Sequence, residues 1–357
     1  MIRRRVVALI AFTLAFALPA SAQQDARLAR AIDALRMHAD TSGVAGLAAA
    51  IHVDGARVWS GGFGWSDIEQ RVPMSDSTVS RIGSISKSVA AVAAMILVDR
   101  GELDLDAPIA TYLPDYPRPQ AERMTMRQIM SHSAGIRHYR GEEFASAIRY
   151  DDVFAPLAVF AGDSLLFAPG TDYGYSTYGY TVVSAVTERA DGRPWTRIIR
   201  DEVARPLGLR TLQPEWRDSL IMNRASYYDR AGDGWINTTP VDNSNKWAGG
   251  GLVSDVRDLA AFGQAIADGR LLSANARGEM WTKQTPEGEA SYGLGWNVSD
   301  IEGHRVVGHS GGSMGATAML IVLPEDDVVV AVLGNSSDIS HGGIAARVAR
   351  ILLGVEN

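Results

Sequence analysis

A serine and a lysine three residues apart, Ser84 and Lys87, form the first pair of side chains that could do chemistry. Residues i and i+3 of a helix lie on one face, so these two side chains can meet. A serine hydroxyl attacks a carbonyl only when a base takes its proton, and burial can leave a lysine uncharged and able to act as that base. The pair predicts Ser84 as nucleophile and Lys87 as proton acceptor. A serine helix cap followed by a solvated lysine is the alternative.

The scarcity of lysine in this chain makes the position of Lys87 informative. The 34 basic residues include only three lysines, Lys87, Lys246 and Lys283. Arginine effectively never loses its proton in a protein, whereas a desolvated lysine does. Because the chain uses arginine for positive charge elsewhere, a lysine beside Ser84 indicates a need for a group that can be neutral.

A second motif contains Tyr175 and, two residues later, Thr177. A tyrosine hydroxyl close to Lys87 could share its proton and pass it to a leaving group. Three more tyrosines lie within five residues of Tyr175, so a packed aromatic cluster is the alternative interpretation.

A third motif, His309-Ser310-Gly311-Gly312, lies between two segments with strand patterns. Glycines would let a substrate approach a sheet edge, and the Gly312 N–H could join the Ser84 N–H in holding an oxyanion. A glycine-rich hairpin with a surface histidine is the alternative. Residues 308–312 and 311–315 also match G-x-S-x-G, but that motif marks a nucleophile elbow only between a strand and a helix.

Metal and thiol chemistry find little support in the sequence. The chain has no cysteine, which excludes a thiol nucleophile, a disulfide and a zinc–thiolate site. His132 and His138 are six residues apart on either side of Gly135, a poor spacing for metal ligands, and we interpret both as structural. We predict no metal and no cofactor.

Strand and helix patterns place these motifs in an α+β fold. Residues 84–100 read as a helix with an interior that is apolar on all sides, which is typical of a buried helix. An Asp-Gly pair joins strand patterns at 46–53 and 57–64, and strands return at 304–308, 318–323 and 328–333. Helix patterns cover 25–40, 255–267 and 344–353.

Residues 107–246 show only short helical patterns, at 126–131, 180–189 and 195–204, and no clear strand pair. We therefore predict a sheet lobe from residues 23–106 and 248–357, an inserted mainly helical lobe from 107–247, and a site in the cleft between the two lobes.

The N-terminus reads as a secretory signal covering residues 1–22. Three arginines precede an apolar run from Val6 to Leu18, and the small residues Ala20-Ser21-Ala22 follow it. We expect an exported protein, periplasmic or secreted, without a stable membrane span after signal removal. An uncleaved anchor is the alternative, although the run is shorter than a bilayer requires.

The charge balance argues against nucleic acid as a partner. The full chain has a formal net charge of −7, and removal of the three signal arginines leaves 31 basic against 41 acidic residues, a net charge of −10. Phosphate binding needs a basic patch. The expected partner is a small-molecule or peptide substrate, and the sequence leaves the oligomeric state open.

The three motifs, in this order and spacing, resemble those of the class C β-lactamase-like serine hydrolases, the group of S12 peptidases that includes penicillin-binding proteins and esterases. Further similar stretches are 130–136, 167–170, 205–209 and 250–254. The resemblance covers residues 25 to 355. It implies an antiparallel sheet flanked by N- and C-terminal helices, with a helical lobe beside it.

The resemblance also implies roles. Ser84 would be acylated, Lys87 and Tyr175 would form a coupled acid/base pair, and the Ser84 and Gly312 amides would form the oxyanion hole. Thr177, His309, Ser310 and Gly311 would bind substrate.

Two departures from the family pattern bear on the substrate. Thr177 stands where β-lactamases of this class usually carry asparagine, and His309 stands where many members have lysine. A hydroxyl lacks the paired donor and acceptor of an amide, and a histidine gives a weaker or switchable charge for a substrate carboxylate. We expect a peptidase, with a carboxylesterase or weak β-lactamase as the alternative. A non-catalytic cell-wall binding or scaffold protein with this fold is a third hypothesis.

Overall fold

A computed structural model describes residues 20–117 and 120–356 of this 357-residue chain. Most of the predicted signal peptide, residues 1–19, lies outside the described residues, so that interpretation stays a prediction. Within the described residues, no helix combines the length and the apolar character that crossing a membrane requires.

Twelve strands form three sheets in the described residues. The strands are β1 Gly46–Val53, β2 Ala56–Asp67, β3 Val72–Pro73, β4 Ser80–Arg81, β5 Gln213–Pro214, β6 Tyr228–Ala231, β7 Gly234–Asn237, β8 Leu252–Ser254, β9 Asn297–Ile301, β10 His304–Ser313, β11 Ala316–Leu323 and β12 Val328–Gly334. The main sheet has the order β3-β2-β1-β12-β11-β10-β9, and its strand pairs are antiparallel. Strands from both ends of the chain therefore share one sheet, which confirms the predicted fold class.

Eleven α-helices accompany these strands in the described residues. They are α1 Ala20–Thr41, α2 Ser86–Asp99, α3 Gln120–Arg123, α4 Met126–Met130, α5 Thr177–Asp191, α6 Trp195–Ile198, α7 Arg205–Leu207, α8 Trp247–Gly250, α9 Val256–Ala267, α10 Ala274–Met280 and α11 Gly342–Leu353. Short 3₁₀ turns occur at Gly83–Ile85, Ile109–Thr111, Gly141–Ala145, Ala155–Val159 and Asn243–Lys246.

The main sheet is covered on both faces because the residues of its central strands alternate between two cores. On β1, Leu47 and Ile51 pack in one core with α1 and α11, whereas Ala48 and Ala50 pack in the other core with α2 and α9. Successive side chains of a strand point to opposite faces. A strand buried on both faces must be apolar throughout, and every residue of β12 is buried.

Helix α2 lies in the larger core, as its apolar sequence predicts. Twelve of its fourteen residues, from Ser86 to Leu97, are buried. An apolar helix without a polar face is stable only with neighbours on all sides, and α2 contacts α5, α8 and α10. The helix that carries Lys87 is therefore surrounded by protein along nearly all its length.

The segment between the two sheet-forming parts of the chain contains strands that the sequence analysis missed. β6 and β7 form a hairpin, and the two-residue strand β5 pairs with β8. The hairpin has polar residues on both strands and only Tyr228 fully buried, so it lacks the apolar alternation that predicts a strand. The predicted boundaries of the two lobes stay a prediction.

Loss of the Phe262 ring tests the packing of α9 on the main sheet. Phe262 is fully buried and stacks on Trp296 with ring centroids 6.1 Å apart. We expect Phe262→Ala to lower the free energy of unfolding by about 3–5 kcal/mol, because the ring leaves a cavity in a packed core. Urea titration followed by circular dichroism measures this change. Leu220 is fully exposed, so Leu220→Ala is the control and should change stability by less than about 0.5 kcal/mol. Equal stabilities for the two variants would contradict this description of the core.

Candidate active site

Ser84 lies in a tight turn between strand β4 and helix α2. The turn is the 3₁₀ segment Gly83–Ile85, and Gly83 has φ +50°, a conformation that favours glycine. The Ser86 hydroxyl fixes the turn, because it donates to the Gly83 carbonyl at 2.7 Å and accepts from the Leu252 amide at 3.1 Å. Ser84 is therefore held at the N-terminus of a buried helix.

The Lys87 amine is completely buried and has three polar neighbours. Its Nζ lies 3.0 Å from Ser84 Oγ, 3.2 Å from Thr177 Oγ1 and 2.6 Å from the Gly249 carbonyl oxygen. A neutral amine has two N–H donors and one lone pair. The carbonyl can only accept, so one N–H points at Gly249 and the second can point at Thr177. The lone pair is then free to accept the Ser84 hydroxyl proton.

Three features of the structure favour the neutral form of Lys87. Burial, with a smaller contribution from the positive charge of Lys246, holds the pKa of Lys87 well below its usual value. The amine also lies in the first turn of α2, where the helix dipole opposes positive charge. No carboxylate lies within 4.0 Å of this amine in the described residues. A charged amine in such a place would be costly.

Tyr175 faces the same pair of groups. Burial raises the pKa of Tyr175 above its usual value, and a hydrogen bond with Ser84 opposes that rise. The Lys87 Nζ lies 4.7 Å from the centre of the Tyr175 ring. Tyr175 is therefore a protonated phenol that lies beside Ser84 and Lys87.

Thr177 begins helix α5 and contributes its hydroxyl to Lys87. Ser176 caps this helix by accepting the Gly179 amide, and its own hydroxyl donates to the Arg137 carbonyl at 2.7 Å. The Thr177 amide donates to His138 Nδ1 at 3.3 Å. These bonds fix the start of α5 beside the base of the cleft.

Strand β10 lies against the turn that carries Ser84. A Cβ built on Gly311 would lie 2.0 Å from the Ile82 carbonyl oxygen, and one built on Gly83 would lie 2.5 Å from the Gly312 nitrogen. Both distances are too short for any side chain, so glycine is required for this approach. The geometry brings the Gly312 amide beside the turn of Ser84, which is where the sequence analysis places the oxyanion hole. The oxyanion role itself stays a prediction.

The nucleophile-elbow interpretation of the G-x-S-x-G matches is wrong for this fold. Ser310 and Ser313 both lie on β10, which is followed by a turn at Met314 and Gly315 and then by strand β11. An elbow serine lies between a strand and a helix. The loop therefore connects two antiparallel strands and does not present a nucleophile.

His309 is not the switchable charge that the sequence analysis expects. Its ring is 2% exposed, Nδ1 lies 2.6 Å from the Ser310 carbonyl and Nε2 lies 2.9 Å from the Tyr292 hydroxyl. The carbonyl only accepts, so Nδ1 carries the proton and Nε2 accepts from Tyr292. Burial lowers the pKa of His309 to about 3. The ring is therefore neutral at pH 7, which argues against a charge for a substrate carboxylate.

His132 and His138 help to hold the site together. His132 is buried among the rings of Tyr173, Tyr175, Tyr180 and Tyr292, and its Nδ1 accepts the Ser176 amide at 3.2 Å. His138 binds the Thr177 amide. These contacts agree with the structural roles predicted for them, and the described residues contain no group of acidic or histidine side chains that could hold a metal ion.

Lys246 is a residue of the cleft that the sequence analysis did not assign. It is buried, and its Nζ donates to the Phe144 carbonyl at 2.8 Å. The scarcity of lysine was the one available signal, because it singled out three positions, of which Lys246 lines the cleft and Lys87 lies beside its Ser84. Nothing in the residues around Lys246 resembles a known catalytic spacing.

The site opens into a cleft of about 700 Å³, a size that suits a small ligand. Its lining includes Ser84, Tyr175 and Thr177 on one side and residues 310–314 of strand β10 and its turn on the other. A hydroxyl with a neutral amine as acceptor, a phenol as donor and nearby backbone amides is a set that can attack a carbonyl and protonate a leaving group.

Comparison with known proteins identifies a family of enzymes, in agreement with the geometry of the site. The family model described as Beta-lactamase matches residues 26–353. The mitochondrial serine beta-lactamase-like protein LACTB of Bos taurus is 29% identical over 442 residues, an alignment covering 90% of this chain and 79% of that protein. A D-aminopeptidase of Cereibacter sphaeroides is 27% identical over 343 residues, covering 91% of this chain and 63% of that protein.

Solved structures share the fold. The crystal structure of a D-stereospecific amidohydrolase from Streptomyces sp. superimposes with a TM-score of 0.75 and 27% identity, covering 89% of this chain and 96% of that one. The resemblance drawn from the three motifs is therefore confirmed at the level of the family and its fold.

The burial of the Lys87 amine leads to a prediction about how the stability of the protein depends on pH. An unfolded lysine has a pKa of about 10.4, and the folded pKa of Lys87 lies well below that. Between these values the unfolded chain binds a proton that the folded chain does not, so wild-type stability falls as the pH falls. Methionine carries no such proton. We expect the stability of Lys87→Met relative to wild type to be greater at pH 7 than at pH 10, by up to about 1.4 kcal/mol for each pH unit.

Thermal unfolding at pH 7, 8, 9 and 10 measures this difference. Lys283 is exposed, so Lys283→Met is the matched control and should follow the wild-type pH dependence. Parallel stability profiles for Lys87→Met and wild type would show that the Lys87 amine is charged in the folded protein.

Proposed function

The chain belongs to the Beta-lactamase family, and from this we propose that it is an exported serine hydrolase that cleaves amide or ester bonds through an acyl-enzyme on Ser84. The names of two relatives, a D-aminopeptidase and a D-stereospecific amidohydrolase, describe hydrolysis of peptide or amide bonds. The observation that carries the proposal is the 3.0 Å contact between the Ser84 hydroxyl and the buried Lys87 amine. Export rests on the signal pattern of residues 1–22.

In acylation, Ser84 attacks the substrate, Lys87 accepts the serine proton, and Tyr175 protonates the leaving group. Ser84 Oγ forms a bond to the substrate carbonyl carbon while its proton passes to Lys87 Nζ. The carbonyl oxygen becomes an oxyanion that the Ser84 and Gly312 amides stabilise. When the tetrahedral intermediate collapses, the bond to the leaving group breaks and the Tyr175 hydroxyl protonates that group. The proton on Lys87 then returns to Tyr175, which restores the neutral pair.

Deacylation repeats these steps with water as the nucleophile. The water loses a proton to the Lys87–Tyr175 pair and attacks the ester carbonyl, and Ser84 leaves with that proton. Because Lys87 and Tyr175 share one proton during the cycle, the pH dependence of turnover reports on the pair. Their burial suits this exchange, because it keeps both groups uncharged in the resting enzyme.

The substrate that we propose is a short peptide or an amino acid amide, including those of D-amino acids. Support comes from the names of the relatives, a D-aminopeptidase and a D-stereospecific amidohydrolase. Thr177 supports the choice against lactams, because its hydroxyl already contacts Lys87 and cannot offer the paired donor and acceptor of an amide side chain.

A carboxylesterase or a weak β-lactamase is the second candidate. The lining of the cleft includes the apolar side chains of Phe144, Met314 and Ile339, and an ester needs less leaving-group activation than an amide. A non-catalytic binding protein is less well supported, because a chain without turnover has no use for a neutral lysine that lowers its stability.

A fluorophosphonate probe tests the nucleophile. We expect the wild-type protein to be labelled at Ser84, and Ser84→Ala to be unlabelled, because phosphonylation requires an activated serine. Lys87→Arg should lose at least about 100-fold in labelling rate, since arginine cannot accept the serine proton. Mass spectrometry of the labelled peptide identifies the site, and circular dichroism verifies that each variant is folded.

Lys283→Arg is the control for the lysine substitution, because it makes the same change at an exposed position outside the cleft. It should be labelled at the wild-type rate. Folded wild-type protein that does not react at Ser84 would refute the proposed function.

Parallel assays with the ester p-nitrophenyl butyrate and the chromogenic lactam nitrocefin compare ester hydrolysis with lactam hydrolysis. We expect measurable ester hydrolysis and much slower lactam hydrolysis. Thr177→Asn should raise lactam turnover relative to ester turnover, because asparagine supplies the missing amide. Rapid nitrocefin hydrolysis by the wild-type protein would show that Thr177 does not disfavour lactams.

A further inference from the structure

Lys246 is the one lysine or arginine among the described residues that line the cleft. His138 and His341 also line the cleft. Burial, with a contribution from the charge of Lys246, lowers the pKa of His138 to about 4, and burial lowers that of His341 to about 3. Both rings are therefore neutral at pH 7.

Lys246 is held in place without a counter-ion. Its side chain is 3% exposed, and its ammonium lies over the rings of Tyr139 and Phe144 at 5.3 and 5.2 Å from their centres. Its one hydrogen bond within the described residues goes to the Phe144 carbonyl, and no described carboxylate lies within 4.0 Å of it. An ammonium has three donors, so two of them remain for a ligand.

The surroundings of Lys246 leave it mostly charged at neutral pH. Burial, with a contribution from Arg81, lowers the pKa of Lys246 to about 8, while Glu215 and Asp242 oppose the fall. A buried cation that keeps its charge without a partner is costly in a folded protein. The cost is offset when an anionic ligand binds to the ammonium and neutralises its charge.

Lys246 also lies close to the reacting groups. It precedes Gly249 by three residues, and the Gly249 carbonyl accepts a hydrogen bond from Lys87. Its charge lowers the pKa of both Lys87 and His138. A ligand bound at Lys246 would therefore occupy the same cleft as the Ser84 hydroxyl.

We propose that Lys246 is a specificity-determining residue that binds a carboxylate of the substrate. The inference rests on the proposed function, because it concerns the substrate of the Ser84 site. The carboxylate can belong to the acyl part of the substrate or to the leaving group, and both positions present the same chemistry to the ammonium. A charge-assisted hydrogen bond to a carboxylate is roughly twice as strong as a neutral one.

Two matched ester pairs test the inference. For the acyl side, the mono-4-nitrophenyl ester of adipic acid is compared with its methyl ester. For the leaving-group side, the butyrate ester of 4-hydroxybenzoate is compared with that of methyl 4-hydroxybenzoate. Within each pair, one ester carries a free carboxylate and the other carries a methyl ester in its place. The ratio of their kcat/KM values is compared between wild type and variants. The intrinsic reactivity of each ester is the same for all proteins, so it cancels in this comparison.

We expect the ratio of anionic to neutral ester for one of the two pairs to be about ten-fold lower in Lys246→Met than in wild type. Most of the change should come from KM of the anionic ester. Lys246→Arg keeps the charge and should retain most of the wild-type ratio. Lys283→Met is the matched control for removal of a lysine outside the cleft and should keep the ratio unchanged.

A measurement on the wild-type protein covers the case in which Lys246→Met does not fold. The ester carboxylates are ionised throughout the range from pH 6 to 9, so a preference that depends on Lys246 should weaken as the pH rises through about 8. Unchanged ratios in Lys246→Met, or a preference that stays constant from pH 6 to 9 in wild type, would overturn this inference while Ser84 remains reactive to the probe. A wild-type protein with no reactive Ser84 would overturn the proposed function, and this inference with it.

Discussion

The candidate site depends on one constraint, the burial of the Lys87 amine without its proton. Removing this amine from water favours its neutral form, and the neutral amine has a lone pair for the Ser84 hydroxyl 3.0 Å away. The same burial costs stability at neutral pH, so the rest of α2 must compensate. The helix does so with an apolar surface that is buried from Ser86 to Leu97. The core around α2 is thus part of the chemistry, because it sets the proton affinity of the base.

A second constraint is the close approach of chain segments that are distant in sequence. Strand β10 reaches the Ser84 turn from more than 200 residues away, and the Ile82 carbonyl leaves no room for a side chain at Gly311. Helix α5 brings Thr177 to the other side of Lys87. Each segment is positioned by the main sheet or by α2, so the reacting groups belong to rigid elements whose packing fixes their separations.

The sequence predicts the parts of this arrangement that follow from local patterns and motif spacing. The hairpin of β1 and β2, the buried helix α2 and the strands β10 to β12 have strong apolar patterns, and all are present. The hairpin of β6 and β7 was missed because its strands are polar. Residues Trp195–Ile198 are α-helical as expected, but Ile199–Ala204 form a short π-helix, a local change in hydrogen bonding that leaves the apolar period nearly unaltered. The burial of His309 was also missed, because it depends on Tyr292, a partner that no pattern in the third motif indicates.

The neutral His309 and the charged Lys246 together determine where positive charge lies in the cleft. A permanent cation at the position of His309 would lie close to Lys87 and would repel the proton that Lys87 takes from Ser84 during the reaction. A neutral imidazole fills that position and hydrogen-bonds to Tyr292 without adding to the repulsion. The cleft then takes its positive charge from Lys246, which directly precedes α8. A substrate carboxylate would be drawn to Lys246, so the substitution of histidine for lysine on the strand changes where in the cleft charge can be recognised, and leaves the neutral base in place.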